Sequence, residues 1–238
     1  MEKIIYIADL DQDIDDIIAI EYLHKNNVLQ CVVLDPYPIE TIGFQRISIL
    51  KDMGIDVLKK MPSKAKYVFV GGALTLISNF IYNHKIDYLI MNGGFVGNNL
   101  MTNPLKKFKN KKECRTYNFN CDVQAVDKVL KSNNIENIML VGKNVCHNKL
   151  NTPSGIWKNE QELFNKYNIN DTKLQHDLLA CREGLVELGF LNEEPFLEYQ
   201  FIQPYNLGLN GNKTLWGSEK PNNKNQYQIV KAAINWKE

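Results

Sequence analysis

The sequence has almost no imbalance of charge: 28 Lys and Arg stand against 27 Asp and Glu in 238 residues, a formal charge of +1. The densest basic run, Lys106-Lys107 to Lys112, reads as a loop, and no long series of cations lies along one face. That leaves no electrostatic footprint for nucleic acid or an anionic membrane. Long hydrophobic runs are missing as well. The longest apolar stretch, Tyr67–Tyr82, is interrupted by Gly71-Gly72 and Asn79 and falls short of the ~20 residues of a membrane span. Met1-Glu2-Lys3 opens directly into a strand pattern rather than a signal peptide, so the expected location is cytoplasmic. The five cysteines, Cys31, Cys114, Cys121, Cys146 and Cys181, are odd in number and contain no C-x-x-C, which favours reduced thiols over a disulfide or zinc framework. There is no internal repeat, no clear linker, no G-x-G-x-x-G and no P-loop lysine.

What is present is enough for a core. With 44% hydrophobic residues, a chain of this length buries roughly 70–75% of its unfolded surface. It needs no structural metal, so any metal would serve chemistry.

Short apolar runs alternate with segments of helical period. Lys3–Ala8, Leu29–Leu34, Tyr67–Val70, Tyr88–Met91 and Ile138–Val141 read as buried strands, and Asp15–Lys25, Glu40–Met53, Leu74–His84 and Asp122–Lys131 as helices. A polar segment, Asn144–Thr172, precedes a long helix around Asp177–Leu188, with further strands near Leu197–Ile202 and Gln226–Val230. Asn98–Lys112 and Asn206–Asn225, rich in Asn, Lys and Gly, read as loops. The expected fold is one α/β domain over residues 1–238: a mostly parallel, open sheet with helices on both faces and ligand sites outside the carboxyl ends of the strands.

Directly after the first strand, Asp9, Asp11, Asp13, Asp15 and Asp16 crowd the approach to a helix. Two carboxylates ~4 Å apart repel by about 4 kcal/mol at an effective dielectric of 20. The helix N-terminus offsets only ~0.3–1 kcal/mol per charge. A divalent cation balances such a cluster, and oxygen-only ligands select Ca²⁺ or Mg²⁺ over zinc. The bland alternative is a set of capping carboxylates on a solvated loop. An EF-hand is excluded, because counting from Asp9 puts Ile14 where glycine is needed and Ile20 where glutamate is needed. A Mg²⁺ phosphatase of haloacid-dehalogenase type accounts for Asp9-Leu10-Asp11 but leaves Asp15-Asp16 without a role.

Asp9-Leu10-Asp11-Gln12-Asp13-Ile14-Asp15-Asp16 resembles the opening D-x-D-P-G-x-D-D motif of the inosine-uridine nucleoside hydrolase family, keeping all four acids and losing the Pro and Gly. Further blocks follow in that family's order: Gly71-Gly72-Ala73-Leu74-Thr75, Met91-Asn92-Gly93-Gly94, Asn118 to Ala125, Val145-Cys146-His147 and His176-Asp177. The resemblance implies a Rossmann-like, nucleoside-hydrolase fold and Ca²⁺-dependent hydrolysis of an N-glycosidic bond in a ribonucleoside or related N-riboside. It also makes a homodimer plausible.

By position, the resemblance implies that Asp11 is a metal ligand and the base that takes the water's proton. Asp16, Asp177 and the carbonyl of Gly71 become further ligands, with Asp9 supporting Asp11. Asp15 and Asn118 correspond to groups that bind ribose hydroxyls, Asn99 to one that reaches the 5′-hydroxyl, and Met91 to a contact with the ribose or to plain core. His176 corresponds to the acid that protonates the departing base. Departures from the pattern are Gln12 and Asp13 in the opening motif, Pro36 near an expected Asn, Thr116 in place of an acid two residues before Asn118, and a short Gly54–Tyr67 segment. These departures motivate a second expectation, a catalytically silent relative that binds a ribosylated ligand or a protein.

Overall fold

The computed structural model describes residues 2–11, 13–37, 39–210 and 213–237; Gln12 lies outside them. Among the described residues, ten strands and eight α-helices follow one another along the chain. The first half holds β1 (Ile4–Ala8), α1 (Asp15–Lys25), β2 (Leu29–Leu34), α2 (Thr41–Asp52), β3 (Val57–Leu58), β4 (Tyr67–Val70), α3 (Thr75–Phe80), β5 (Ile86–Asn92), β6 (Glu113–Cys114) and α4 (Tyr117–Cys121). Then come α5 (Val123–Lys131), β7 (Ile135–Val141), α6 (Lys143–Cys146), α7 (Gln161–Lys166), α8 (His176–Glu187), β8 (Leu197–Asn210), β9 (Lys213–Glu219) and β10 (Val230–Trp236).

The strands form one mixed sheet in the order β3-β2-β1-β4-β5-β7-β10-β8-β9-β6. Pairings from β3 across to β10 are parallel, whereas β10-β8, β8-β9 and β9-β6 are antiparallel. The parallel portion follows from strands buried on both faces, which read as continuous apolar runs. In β1, Ile4, Tyr6 and Ala8 point into one core with α1 and α8, while Ile5 and Ile7 point into the other with α3 and α5. α5 turns Ala125, Val126, Val129 and Leu130 inward at helical spacing, and Asp122 caps it by accepting the Ala125 N–H at 3.0 Å.

The expectation of a mostly parallel sheet holds from β3 to β10, and the antiparallel wing beyond β10 makes the sheet mixed. Asn206–Asn225, read as a loop, contributes the end of β8 and all of β9, and the last strand runs Val230–Trp236 rather than Gln226–Val230. Polar side chains mask this hairpin in the sequence because they are satisfied within the fold: Asn120 Nδ2 donates to the Thr214 carbonyl and Asn206 Nδ2 to the Tyr227 hydroxyl. All five cysteines are free. Among the described residues, no helix is long and apolar enough to cross a membrane.

Candidate functional site

A cavity of about 540 Å³ lies outside the carboxyl ends of the parallel strands, where an open α/β sheet places ligands. Asp9 follows β1, Gly71 follows β4, Asn92 ends β5 and Lys143 follows β7 by two residues; Asp15 and Asp16 open α1, and His176 and Asp177 open α8. All of these line the cavity, with Asp13, Thr116, Tyr117, Asn118, Cys146 and His147.

The floor is acidic and buried: Asp9, Asp15, Asp16 and Asp177 are each no more than 6% exposed. Gly71 lets two of them converge. A Cβ there would sit 2.2 Å from Tyr6 Oη, 2.5 Å from Asp16 Oδ1 and 3.0 Å from Asp177 Cγ, so only glycine permits this approach. Tyr6 Oη donates to Asp16 Oδ1 at 2.9 Å, and the Asp9 N–H donates to Asp16 Oδ2 at 3.3 Å. Asn92 Nδ2 donates to Asp177 Oδ1 at 2.6 Å, and Cys146 Sγ in turn donates to Asn92 Oδ1 at 3.7 Å. Asn118 Nδ2 spans the ends of β4 and β5 by donating to the Gly71 and Asn92 carbonyls at 2.7 and 2.8 Å.

Burial dominates the electrostatics of this floor. It pushes the carboxyls of Asp16 and Asp177 well above the usual range, reinforced by Asp15 beside both and by Asp16 beside Asp177. Asp15 rises to about 6 through burial and the nearby Asp13. Asp9 is raised by burial, and its Oδ1 is buried with no hydrogen-bond partner. Each shift has the same physical origin, a carboxylate removed from water beside other carboxylates.

Asp13 lies at the edge of this group. Burial works against its ionisation, but Lys173 Nζ, 2.6 Å from both of its oxygens, outweighs that and holds the carboxyl below its ordinary range. Arg46 of α2 fixes the loop itself, Nη1 donating to the carbonyls of Leu10 and Asp13 at 2.8 and 3.0 Å. The residue standing at the motif's glycine position is thereby tied to α8's approach by an ion pair.

Three residues singled out from the sequence lie elsewhere. The Asp11 carboxylate accepts the N–H groups of Ile39 (2.7 Å) and Glu40 (3.3 Å), just ahead of α2, and does not line the cavity. A half-exposed carboxylate next to free N–H groups takes them when nothing stronger competes. Asp9, cast as its support, faces the cavity instead. Asn99 donates to the Ser218 carbonyl at 3.1 Å and is absent from the cavity lining. Met91 is 1% exposed and packs in the core on the α3 and α5 side.

His176 does line the cavity, its ring centroid 5.0 Å from that of His147. Its Nε2 is buried without a partner. Burial and the charge of Lys173 push it down to about 4, and burial with His176, Lys107 and Lys143 pushes His147 down to about 3. Both rings are therefore neutral near pH 7.

Tyr6, Asn92, Cys146 and Lys143 were not assigned roles from the sequence. Tyr6 carried a signal, a lone hydroxyl in the otherwise aliphatic strand Ile4–Ala8. So did Asn92, a polar residue ending a buried strand before two glycines.

The donor set around Gly71 consists of carboxylates and a backbone carbonyl, which suits a hard divalent cation. The unpartnered Asp9 Oδ1 leaves an acceptor available to it. Among the described residues, no three His, Cys, Asp or Glu side chains are grouped so as to hold a metal ion.

No family model matches the chain, and no solved structure matches it. An uncharacterized protein of Aquifex aeolicus (strain VF5) is similar to it, at 29% identity over 178 residues covering 68% of this chain and 58% of that protein. The chain thus matches less than two thirds of that relative's length.

Proposed function

We propose that the cavity binds Ca²⁺ and an N-riboside and that the protein hydrolyses the N-glycosidic bond, on a fold of the nucleoside-hydrolase type. The observation that carries this reading is the convergence of Asp16 and Asp177 on Gly71, with Asp15 and Asp9 beside them. Without a cation, burial and mutual repulsion work against the ionisation of these groups. Asp16, Asp177 and the Gly71 carbonyl would hold the ion. When bound, it supplies the positive charge that keeps the carboxylates ionised and makes a neighbouring water more acidic.

The remaining work falls to the chain's own side chains. Asn92 fixes the orientation of Asp177. Asp15 and Asn118 face the cavity and would hold the ribose hydroxyls. A carboxylate takes the proton of the attacking water as its oxygen bonds to the anomeric carbon, while the C–N bond breaks with its electron pair passing to the base nitrogen. Asp11, which lies outside the cavity, would take this role only on releasing the Ile39 and Glu40 N–H groups. His176, at the start of α8 and neutral in the empty cavity, would have to take up a proton as the substrate binds before giving it to the departing base.

A Mg²⁺ phosphatase is the weaker reading because Asp15 and Asp16, which that chemistry leaves idle, are both buried against the cavity. Purified protein with Ca²⁺ and a panel of ribonucleosides, assayed for free reducing sugar beside a phosphate-release assay, separates the two. Reducing sugar without phosphate is the expected outcome, and phosphate release from phosphomonoesters alone would replace this reading with the phosphatase.

A further inference from the structure

The same cavity that gathers carboxylates also has a cationic stretch of wall that nucleoside hydrolysis does not require. Lys143 lines the cavity, and its Nζ donates to the Arg115 carbonyl at 3.0 Å. His147 lines it too, with Lys107 Nζ 2.6 Å from its Nδ1. Among the described residues, neither Lys107 nor Lys143 is paired with a carboxylate. The two ammonium groups lie close enough to oppose one another, since Lys143 adds to burial in weakening the charge on Lys107. Lys107 is exposed and stands outside the cavity lining, so it adds charge from behind His147, while Lys143, partly buried in the lining, presents an ammonium engaged by a backbone carbonyl and by no carboxylate.

Two neutral hydrogen-bonding groups beside them lack partners. Thr116, 4% exposed, lines the cavity immediately after Arg115, and its Oγ1 is buried with no hydrogen bond. His176 Nε2 is in the same condition. A buried hydroxyl without a partner is uncommon in folded proteins, and this one, in the cavity lining, leaves a donor and acceptor for a ligand atom. Threonine stands where the resembled motif has an acid, so this wall offers a hydroxyl and ammonium groups to a sugar substituent, and no negative charge to repel it.

Ammonium, hydroxyl and imidazole groups together recognise a phosphate. We propose that the substrate is a phosphorylated N-riboside, such as a ribonucleoside 5′-monophosphate, with Lys143 and Thr116 holding the phosphate and Lys107 and His147 supporting that charge. This rests on the N-riboside reading above and names its substrate class. The cavity volume lies in the range that accommodates a ligand of that size. The carboxylate floor and the opposite wall then sort the substrate's two ends, with the ribose hydroxyls toward Asp15 and Asn118 and the phosphate toward Lys143 and Thr116.

The test compares inosine with inosine 5′-monophosphate in Ca²⁺, following hypoxanthine and inorganic phosphate separately, for wild type, Lys143→Ala and Thr116→Val. In parallel, calorimetry compares ribose 5-phosphate, ribose and inorganic phosphate. The expected result is hypoxanthine release with kcat/KM at least tenfold higher for the monophosphate. Lys143→Ala should reduce that preference roughly 10- to 100-fold, the scale of a lost charge-assisted hydrogen bond. Ribose 5-phosphate should bind at least tenfold more tightly than either ribose or phosphate.

Hypoxanthine release that is equal for both substrates, or faster for inosine, overturns the inference while the N-riboside reading stands. Release of phosphate in place of hypoxanthine overturns both. If neither substrate is cleaved, the hydrolase reading fails, and the calorimetric arm decides the inference alone: ribose 5-phosphate binding no tighter than ribose overturns it.

Discussion

Nδ2 of Asn92, at the carboxyl end of β5, donates a 2.6 Å hydrogen bond to Oδ1 of Asp177, in the first turn of α8. This bond joins the central parallel strands to the late helix and aims the carboxylate at Asp16. Asn92→Leu removes the donor and leaves Asp177 buried without it, at about 1.5–3 kcal/mol. Ca²⁺ affinity should fall at least tenfold, because the ligand loses its orientation. Calorimetric Ca²⁺ titration of the variant beside the wild type checks this, and unchanged affinity would make Asn92 a packing residue.

Asp11 occupies the N–H groups of Ile39 and Glu40 in place of the cavity. These bonds are exposed and contribute on the order of 1 kcal/mol, less than a divalent ion offers a carboxylate. Adding Ca²⁺ should therefore draw Asp11 away and speed hydrogen exchange at the Ile39 and Glu40 amides, while Asp11→Asn should weaken Ca²⁺ binding. Unchanged exchange together with normal binding by Asp11→Asn would make Asp11 a loop anchor and pass its role to Asp9.

Gly71→Ala is expected to be severe for its size. The added methyl collides with Tyr6 Oη and Asp16 Oδ1, and overpacking of this kind costs about 1–3 kcal/mol. The melting temperature should drop by several degrees and Ca²⁺ binding should be lost, because the methyl enters the point where Asp16 and Asp177 meet. A variant that still binds Ca²⁺ normally would place the ion elsewhere.

His147 sets an acid-sensitive component of stability. Burial, His176, Lys107 and Lys143 push it down to about 3, from an ordinary value of 6.5. The unfolded chain therefore binds the extra proton between those values and the folded chain does not. The contribution of the neutral ring is complete above about pH 6.5 and is lost as the pH falls toward 3. Thermal melts at pH 7.5 and 5.0 should show a larger drop for wild type than for His147→Asn, which retains an acceptor for Lys107. Equal drops would mean that His147 titrates normally.

The parallel half of the fold was legible because its strands are buried on both faces and show unbroken apolar runs. Leu29–Leu34, Tyr67–Val70 and Asp15–Lys25 have the same limits in the sequence reading and in the structure. The β8–β9 hairpin was not legible: it leaves Phe201 and Leu207 exposed, and Asn, Gly and Lys interrupt any alternation. At the cavity, the acidic cluster and His176-Asp177 were visible as dense local patterns. Which carboxylate of Asp9 and Asp11 faces inward was not, because that depends on Ile39 and Glu40, far along the chain. The wall opposite was equally hidden, since Thr116, Lys143 and His147, with Lys107 behind His147, meet only through tertiary packing.

The most direct measurement is chromatographic detection of free base from ribonucleosides and their 5′-monophosphates incubated with the purified chain, in Ca²⁺, in EGTA, and with Asp177→Asn. Base should accumulate in Ca²⁺, stop in EGTA, and fall at least ~10²-fold in the variant. Base release that persists unchanged in EGTA and in Asp177→Asn, or no release from any riboside by folded, Ca²⁺-saturated protein, would refute Ca²⁺-dependent N-riboside hydrolysis at this site.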